Sequence, residues 1–356
     1  MKLQLGLAGR AAMLAAWLGA GVAVAAPLAA PDDLLFMSNR SNSVFELYRM
    51  SASGEQVQRV LPERGEASEM SWSPDGSKVL YSKARPGEML NIYLTELATG
   101  TTRQLTKDEL PCTQPSWSPD GRTIAFVASR GGARKIYLMD ADGGRQRRLT
   151  ESAADDETAP RFAPTGDKIA YLASNPESAP RVAVADLKSG KSGIVSTNKE
   201  RAMETPPVWS PDGGRLLFSF MKGQSSHVIA MAADGSARVQ LTKADGRHGQ
   251  AQWSGDGKHI LFLTIPPGSA RPLLQLMNAD GSEARQLHGG VNDVMDARWS
   301  ADSQRIFFVE QLPSGGKIFV LDLASGAIKR LSGSEGFDVG IQVYAGRPSA
   351  QLASLK

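Results

Sequence analysis

The chain has very little of what metal centres and nucleophilic active sites are built from. It contains a single cysteine, Cys112, and four histidines in 356 residues. One cysteine excludes an intramolecular disulfide, and we expect its thiol to be inert, since no histidine neighbour or metal-ligand spacing accompanies it. The Gly-x-Ser-x-Gly elbow of hydrolases is also absent. We therefore expect a protein without a metal or cofactor, and not an enzyme.

Net charge and helical periodicity are lacking as well. Forty Lys and Arg stand against 37 Asp and Glu, which gives a formal net charge of +3. Binding to nucleic acid requires a concentrated basic face, so this balance argues against it. From residue 34 to the end, no apolar pattern with helical spacing is long enough for a core helix. These absences indicate an all-β domain.

The N-terminal 25 residues predict export. Lys2 and Arg10 precede or open an apolar run from Ala11 to Val24, and Ala23-Val-Ala25 is a small-x-small cleavage site. The run is short for a membrane span, which needs about 20 residues. No cysteine follows it, so we expect no lipid anchor. The prediction is a signal peptide at 1–25, a short segment at 26–33, and a soluble, monomeric periplasmic protein without a membrane span.

The chain does have a repeated aromatic phrase. Its copies are Trp72-Ser-Pro-Asp-Gly76, Trp117-Ser-Pro-Asp-Gly121, Phe162-Ala-Pro-Thr-Gly166, Trp209-Ser-Pro-Asp-Gly213, Trp253-Ser-Gly-Asp-Gly257 and Trp299-Ser-Ala-Asp-Ser303. The steps from one aromatic residue to the next are 45, 45, 47, 44 and 46 residues. This period is typical of the four-stranded blades of a β-propeller. The aromatic residues are expected to pack between blades, and the aspartates to accept hydrogen bonds within their own turns.

One repeat shows how the four strands arise. After Trp117 comes a Pro-Asp-Gly turn, then the apolar run 123–128, a Ser-Arg-Gly-Gly hairpin and a third strand at 135–139. A second turn at 140–144 precedes a short charged strand at 147–150, which suits an exposed sheet edge. Each repeat is therefore predicted to be one antiparallel sheet.

The count of blades follows from the two ends of the array. An apolar second-strand signature occurs seven times, and its first copy lies in residues 34–60, which lack a first strand. The alternating run 337–344 follows the last complete unit and can fill that vacancy. Such pairing would close the ring and hide both sheet edges. We predict a propeller over 34–344 with seven blades, six being the alternative, and a tail at 345–356.

These motifs carry a family resemblance. The repeated Trp-Ser-Pro-Asp-Gly, third strands such as Lys135-Ile-Tyr-Leu138 and the closing Arg-Gln-Leu-Thr pattern resemble the WD-repeat-like β-propeller of TolB-type periplasmic proteins. The resemblance covers residues 34 to about 344. It implies docking of envelope proteins rather than catalysis. TolB-type proteins also carry a separate α/β domain ahead of the propeller, which we do not expect here, so partners of that domain are not carried over.

Acidic residues recur just before the predicted first strands. In a propeller these positions line the mouth of the central channel, which is a usual binding face. Basic residues are expected around them, in the loops between second and third strands. The candidate binding residues are Glu69, Glu157, Glu204, His248, Asp293 and Asp296; the basic surround comprises Arg40, Arg85, Arg130, Arg134, Lys222 and Arg271. The alternative is that these are solvated loop charges.

The other three histidines are predicted to scatter over the sheets. His227 falls on a third strand, His259 on a second and His288 on a fourth. Such placement disfavours a metal-dependent propeller lyase, which needs several histidines to converge. The sequence thus favours a non-enzymatic interaction module whose channel mouth docks an envelope or periplasmic protein. The alternatives are an enzyme acting on a saccharide and a propeller that binds a small ligand or glycan.

Overall fold

Strands form all the regular structure in the part of the chain that the computed structural model describes, which is residues 29–41, 44–61, 67–85, 87–151, 156–175, 177–196 and 202–346. The predicted signal peptide at 1–25 and the tail from 347 lie outside these residues. The strands of the N-terminal part are β1 (Leu34–Ser38), β2 (Glu46–Met50), β3 (Gln58–Arg59), β4 (Ala67–Trp72), β5 (Lys78–Lys83), β6 (Asn91–Glu96), β7 (Thr102–Gln104), β8 (Cys112–Trp117), β9 (Thr123–Ala128), β10 (Lys135–Asp140) and β11 (Arg147–Arg148).

The array continues in the same manner to its end. The middle strands are β12 (Asp156–Phe162), β13 (Lys168–Asn175), β14 (Ser178–Asp186), β15 (Ser192–Ile194), β16 (Met203–Glu204), β17 (Val208–Trp209), β18 (Arg215–Lys222), β19 (Ser225–Ala232) and β20 (Val239–Gln240). The last are β21 (Arg247–Trp253), β22 (His259–Ile265), β23 (Leu273–Asn278), β24 (Arg285–Gly289), β25 (Asp293–Trp299), β26 (Arg305–Leu312), β27 (Gly315–Asp322), β28 (Ile328–Arg330) and β29 (Asp338–Val343).

Each repeat folds into an antiparallel sheet of strands that follow one another in the sequence. Five sheets are four-stranded, and one of nine strands joins two repeats by a single parallel pairing between Ser226 and Arg247. The sheet at the N-terminus has the order β29-β1-β2-β3. The C-terminal strand therefore supplies the first strand that residues 34–60 lack, and Leu34 pairs with Val343.

The first strands of successive sheets lie next to one another. We call β4, β8, β12, β16 with β17, β21, β25 and β29 the inner strands. Contacts run from β29 to β4, β8, β12, β17 and β21 in turn, and from β25 back to β29. The side-chain amide of Gln252 on β21 donates to the carbonyl oxygen of Ala297 on β25 at 2.7 Å, which links these two strands as well.

The two ends of every sheet differ in their connections. Apart from β29, the inner strands end at the aromatic residue of the repeated phrase and its turn, and we call this end the turn face. They begin at the opposite end, where second and third strands are also joined, and we call this end the loop face. In the turns the predicted bonding is confirmed: Asp212 Oδ1 accepts the N–H of Gly214 at 3.0 Å. The Ser210 hydroxyl and this N–H hold the pKa of Asp212 below its ordinary value.

The hydrophobic core consists of clusters that each combine residues of two consecutive sheets. Trp117 is 8% exposed and packs with Leu80 and Ile92 of the preceding sheet, so its predicted packing role is confirmed. One cluster joins the last and first repeats, with Phe307 and Ile318 packed against Phe36 and Ile341. Burial of this apolar surface between neighbouring sheets is what stabilises the stacking of repeats.

Candidate functional site

The six candidate residues lie within the inner strands and not in the loops that precede them. The expected loop placement is therefore wrong. The inner strands extend further toward the loop face than the apolar pattern indicates. All of them except β16 and β17 carry a β-bulge, which interrupts the alternation of their side chains. On β4 the bulge lies between Ser68 and Ser71, and Glu69 within it has a φ of 54°.

Glu157 is buried between two sheets. Its side chain has no exposed surface, and Oε2 accepts the backbone N–H of Ile136 at 3.2 Å and the hydroxyl of Thr150 at 2.5 Å. The ammonium of Lys135 lies 3.9 Å from Oε1. The carboxylate therefore compensates donors of the preceding sheet. The expectation that it faces solvent at a channel mouth is wrong.

Glu204 occupies the corresponding place in the next repeat. Its Oε2 accepts the N–H of Val182 at 2.8 Å, and its side chain is fully buried. Oε1 has no hydrogen-bond partner in the described part of the chain, although the Arg238 guanidinium approaches to 4.0 Å. A partner arriving from solution does not reach this carboxylate, so its predicted exposure is also wrong.

His248 is buried in the same place one repeat further on. Its Nε2 lies 2.9 Å from the carbonyl oxygen of Ala244, and its Nδ1 lies 2.9 Å from the Thr264 hydroxyl. Because a carbonyl only accepts, Nε2 carries the proton and Nδ1 accepts from Thr264. Burial lowers the pKa of His248, while the Ala244 bond raises it and His227 lowers it. The ring is therefore neutral at pH 7.

The predicted strand positions of His227, His259 and His288 are confirmed, but the sequence reasoning did not anticipate that His227 meets His248. The rings of His227 and His248 are stacked with centroids 5.7 Å apart. They meet because the third strand of one repeat and the inner strand of the next lie side by side, with Ser226 paired to Arg247. No group of three or more His, Cys, Asp or Glu side chains that could hold a metal ion occurs among the described residues.

Glu69 belongs to a chain of bonds that connects neighbouring inner strands. Its Oε2 accepts the hydroxyl of Ser82 at 2.8 Å and the N–H of Gln114 at 2.6 Å. Gln114 in turn accepts the N–H of Ala159 through Oε1 at 2.7 Å. The two bonds between inner strands, from Gln114 to Glu69 and from Ala159 to Gln114, each span 45 residues, which is the length of one repeat. Glu69 remains exposed to solvent, so it can also meet a ligand.

Asp293 and Asp296 share β25 but have different surroundings. Asp293 is half-buried at the start of the strand, where it pairs through its backbone with Gln311. Asp296 receives the Arg298 guanidinium at Oδ1 and the N–H of Ile341 at Oδ2, the latter at 3.1 Å. Burial raises the pKa of Asp296, and Arg298 opposes that shift.

The sequence reasoning missed Arg161 and Arg298. Both stand one residue before the aromatic residue of their inner strand, on the same level as Ser71 and Gln252. Arg161 is exposed to solvent, whereas Arg298 is half-buried. The sequence could have shown this. When the six copies of the phrase are aligned on their aromatic residues, the position directly before the aromatic residue is charged only in these two copies.

Three of the six residues in the expected basic surround are paired with carboxylates. Arg130 donates to both oxygens of Asp108, at 2.8 and 2.7 Å, and is the main cause that holds the pKa of Asp108 below its ordinary value. Arg134 pairs with Asp156 at 2.8 Å. Arg40 pairs with Asp338 at 2.9 Å. Arg40, Arg130 and Arg134 are therefore neutralised locally by acidic groups. Glu66 and Asp155, which also stand just before predicted first strands, lie outside the described residues.

Two further observations concern chemistry and membrane association. Cys112 is buried with its Sγ 3.1 Å from Asp108 Oδ2, and burial raises the pKa of the thiol to about 12. Such a thiol is protonated and unreactive at neutral pH. Within residues 29–346, as far as they are described, no helix has the length and apolarity to cross a membrane.

Comparison with known proteins assigns the fold. The family model described as the TolB beta propeller domain matches residues 63–255, more than half of the chain. The Tol-Pal system protein TolB of Gluconobacter oxydans (strain 621H) is 33% identical over 112 residues, which are 32% of this chain and 24% of that protein. The match thus spans about a quarter of the curated relative.

Solved structures resemble the whole array. TolB from Acinetobacter baumannii superposes with a TM-score of 0.57 at 19% identity, over 88% of this chain and 66% of that one. An oligogalacturonate lyase in complex with manganese superposes with a TM-score of 0.64 at 17% identity, over 86% of each chain. At these identities the likeness shows the β-propeller fold and does not distinguish a docking protein from an enzyme.

Proposed function

The chain belongs to the TolB beta-propeller domain family, and on that premise we propose that it is a non-enzymatic periplasmic interaction module. It docks a segment of an envelope or periplasmic protein on its loop face. The periplasmic location rests on the signal-like residues 1–25. The docking role rests on the distribution of exposed apolar side chains between the two faces.

Exposed large apolar residues of the described chain avoid the turn face. Six of them belong to the loop face: Met89, Leu110, Met203, Met221, Val291 and Met295. The other four lie on or beside the outermost strands: Val57, Ile194, Val239 and Ile328. Val291 is the most exposed, at 77%. Apolar groups gathered at one face of a soluble protein are typical of a protein-binding surface.

The chemistry of this face suits a protein segment with apolar and basic residues. Four of its six exposed apolar residues are methionines, whose flexible side chains adapt to different partners. Glu69 and Asp293 lie on the inner strands beside them and keep solvent contact. Their charges would steer a basic segment toward the centre and fix its orientation.

We propose further that the sheets form seven blades in a closed ring. Support comes from the pairing of β29 with β1, from the circuit of inner strands, and from the cluster that joins Phe307 to Phe36. Closure matters for function because it fixes the inner strands around one central channel and gives the docking segment a rigid rim.

Variants on the two kinds of exposed apolar surface test the docking. Met203→Asp and Met295→Asp, introduced together, place charges on the loop face, whereas Ile194→Asp and Val239→Asp place them on outer strands. We expect affinity capture from an envelope extract, quantified by mass spectrometry, to lose a specific partner with the first pair only. Equal capture by both pairs would remove the loop face as the docking surface. The melting temperatures of both variants verify that they are folded.

The alternative is an enzyme or binding protein for saccharides, which the fold likeness to oligogalacturonate lyase leaves open. An assay for unsaturated products from oligogalacturonate tests the lyase activity directly. Formation of such products by the purified protein would replace the docking proposal. Binding without turnover would support a glycan-binding propeller.

A further inference from the structure

Arg161 and Arg298 place two positive charges at one level of the inner strands. Each lies directly before the aromatic residue of its strand, in β12 and β25. The corresponding residues of the other inner strands are uncharged: Ser71, Ser116, Val208, Gln252 and, by the pairing register of β29, Gln342. In the closed ring proposed above, the inner strands surround the central channel. Trp209 Nε1 fixes the Arg161 backbone by donating to its carbonyl oxygen at 2.9 Å.

The two guanidinium groups differ in their partners. Arg298 donates to Asp296 Oδ1 and, at 2.7 Å, to the carbonyl oxygen of Ala297. Arg161 donates to the carbonyl oxygen of the adjacent Pro160 at 3.2 Å. No carboxylate oxygen of the described chain lies within 4.0 Å of a guanidinium nitrogen of Arg161, which is the distance limit of an ion pair. Its charge is therefore uncompensated at close range.

Glu69 is the acidic residue that interacts electrostatically with Arg161, but it does not form an ion pair with the guanidinium. Its Oε2 is committed to the Ser82 hydroxyl and to the Gln114 N–H. Arg161 is exposed to solvent. Desolvation by neighbouring protein atoms lowers the pKa of Arg161; Glu69 raises it, and the nearby Arg298 lowers it further. The guanidinium groups of Arg161 and Arg298 therefore lie near enough for their positive charges to repel each other.

Two positive charges that lie near each other repel, and an anion that binds both of them relieves this repulsion. The guanidinium fork donates two parallel hydrogen bonds to a carboxylate or a phosphate. We propose that Arg161, assisted by Arg298, binds an anion of the carboxylate or phosphate class within the central channel. The site is independent of the docking surface on the loop face, since none of the exposed apolar residues contributes to it.

Thermal shift and calorimetry with two probes test the site. The probes are inorganic phosphate and an acetylated tetraglutamate peptide, each at constant ionic strength. The variant is Arg161→Gln, and the matched control is Arg103→Gln, an exposed arginine on β7. We expect at least one probe to raise the melting temperature of the wild type and of the control. Arg161→Gln should weaken its binding by about tenfold or more, as loss of a charge-assisted pair does.

The pattern of binding separates the two sources of anion. Stabilisation by phosphate identifies a site for a small free anion. Stabilisation by tetraglutamate alone identifies a site for the carboxylates of a peptide. Failure of both probes to shift the wild type overturns the proposal, as does equal binding by Arg161→Gln. Either failure leaves the capture experiment with the methionine variants unaffected, so the two proposals stand or fall separately.

A second measurement needs no ligand. Because Arg161→Gln removes an uncompensated charge, the variant should melt at the same or a higher temperature than the wild type in buffer free of phosphate and carboxylates. A clearly lower melting temperature would mean that the guanidinium is satisfied within the fold, and the anion site would be refuted. Arg161→Lys keeps the charge but loses the fork, and should retain part of the anion-dependent stabilisation.

Discussion

Glu157 Oε2 accepts the backbone N–H of Ile136 at 3.2 Å, so a carboxylate on one inner strand satisfies a buried donor on the third strand of the sheet before it. Glu204 makes the same connection to Val182 one repeat later. The two residues join neighbouring sheets by polar contacts at positions where hydrophobic packing alone would leave an amide unpaired.

The first prediction concerns this connection. Glu157→Ala leaves the Ile136 N–H and the Thr150 hydroxyl without their acceptor, and should reduce the free energy of unfolding by about 1–3 kcal/mol. Glu157→Gln keeps an acceptor oxygen and should lose less. Urea unfolding followed by tryptophan fluorescence measures both. The control is Asp293→Ala, expected within about 0.5 kcal/mol of the wild type; an equal effect of the two alanine variants would contradict the structural role of Glu157.

The second prediction separates packing from hydrogen bonding at the repeated tryptophan. Trp209 Nε1 donates to the Arg161 carbonyl oxygen at 2.9 Å, whereas Trp117 Nε1 has no hydrogen-bond partner within the described ranges. Trp117→Ala should cost about 3–5 kcal/mol through the cavity it leaves. Trp209→Phe should cost about 1 kcal/mol more than Trp117→Phe, since only the former breaks a hydrogen bond. Chemical denaturation of the two phenylalanine variants checks this difference.

The third prediction is a pH dependence from His248. Burial lowers its pKa in the folded protein below the ordinary value of 6.5. The unfolded chain therefore takes up the proton first as the pH falls, so stability is full above 6.5 and declines from there toward the lowered folded pKa. Groups that face the ring are His227, Thr264 and the Ala244 carbonyl.

Unfolding by urea between pH 7.5 and pH 5.5 tests the role of His248. His248→Gln should flatten the decline of stability with acidification, and His259→Gln, on the second strand of the same sheet, should leave it unchanged. A decline that is equally steep in the His248 variant would assign the pH dependence to other groups.

The fourth prediction tests closure by the C-terminal strand. Deletion of residues 336–356 removes β29, exposes the edge of β1 and opens the cluster around Ile341, so we expect a lower melting temperature or aggregation. Ile341→Asp should act in the same direction because this side chain is fully buried. Deletion of residues 347–356 alone keeps β29 and serves as the control. An unchanged melting temperature after the longer deletion would refute the closure.

Some of the candidate site could have been predicted from the columns of the repeat. Five residues before the aromatic stand Ala67, Cys112, Glu157, Glu204, His248 and Val294. The small and apolar members indicate a buried column, which argues against exposure of its acidic members. Three residues before the aromatic stand Glu69, Gln114, Ala159, Pro206, Gln250 and Asp296. Here polar residues prevail, and here the structure places the bonds between inner strands.

Local sequence patterns were enough to predict the strands and their order. The repeat period, the aromatic residue and the turn residues are local features of the sequence. They predicted four strands per repeat and the hydrogen bonds that the turn aspartates, such as Asp212, accept. They also predicted that the first repeat lacks a first strand, which β29 supplies. Which charged residues meet depends on the tertiary structure. The β-bulge of β12 changes the direction of its side chains, and stacking brings Glu157 to Ile136 and Arg298 near Arg161. Such contacts depend on the packing of one sheet on the next, which no local pattern encodes.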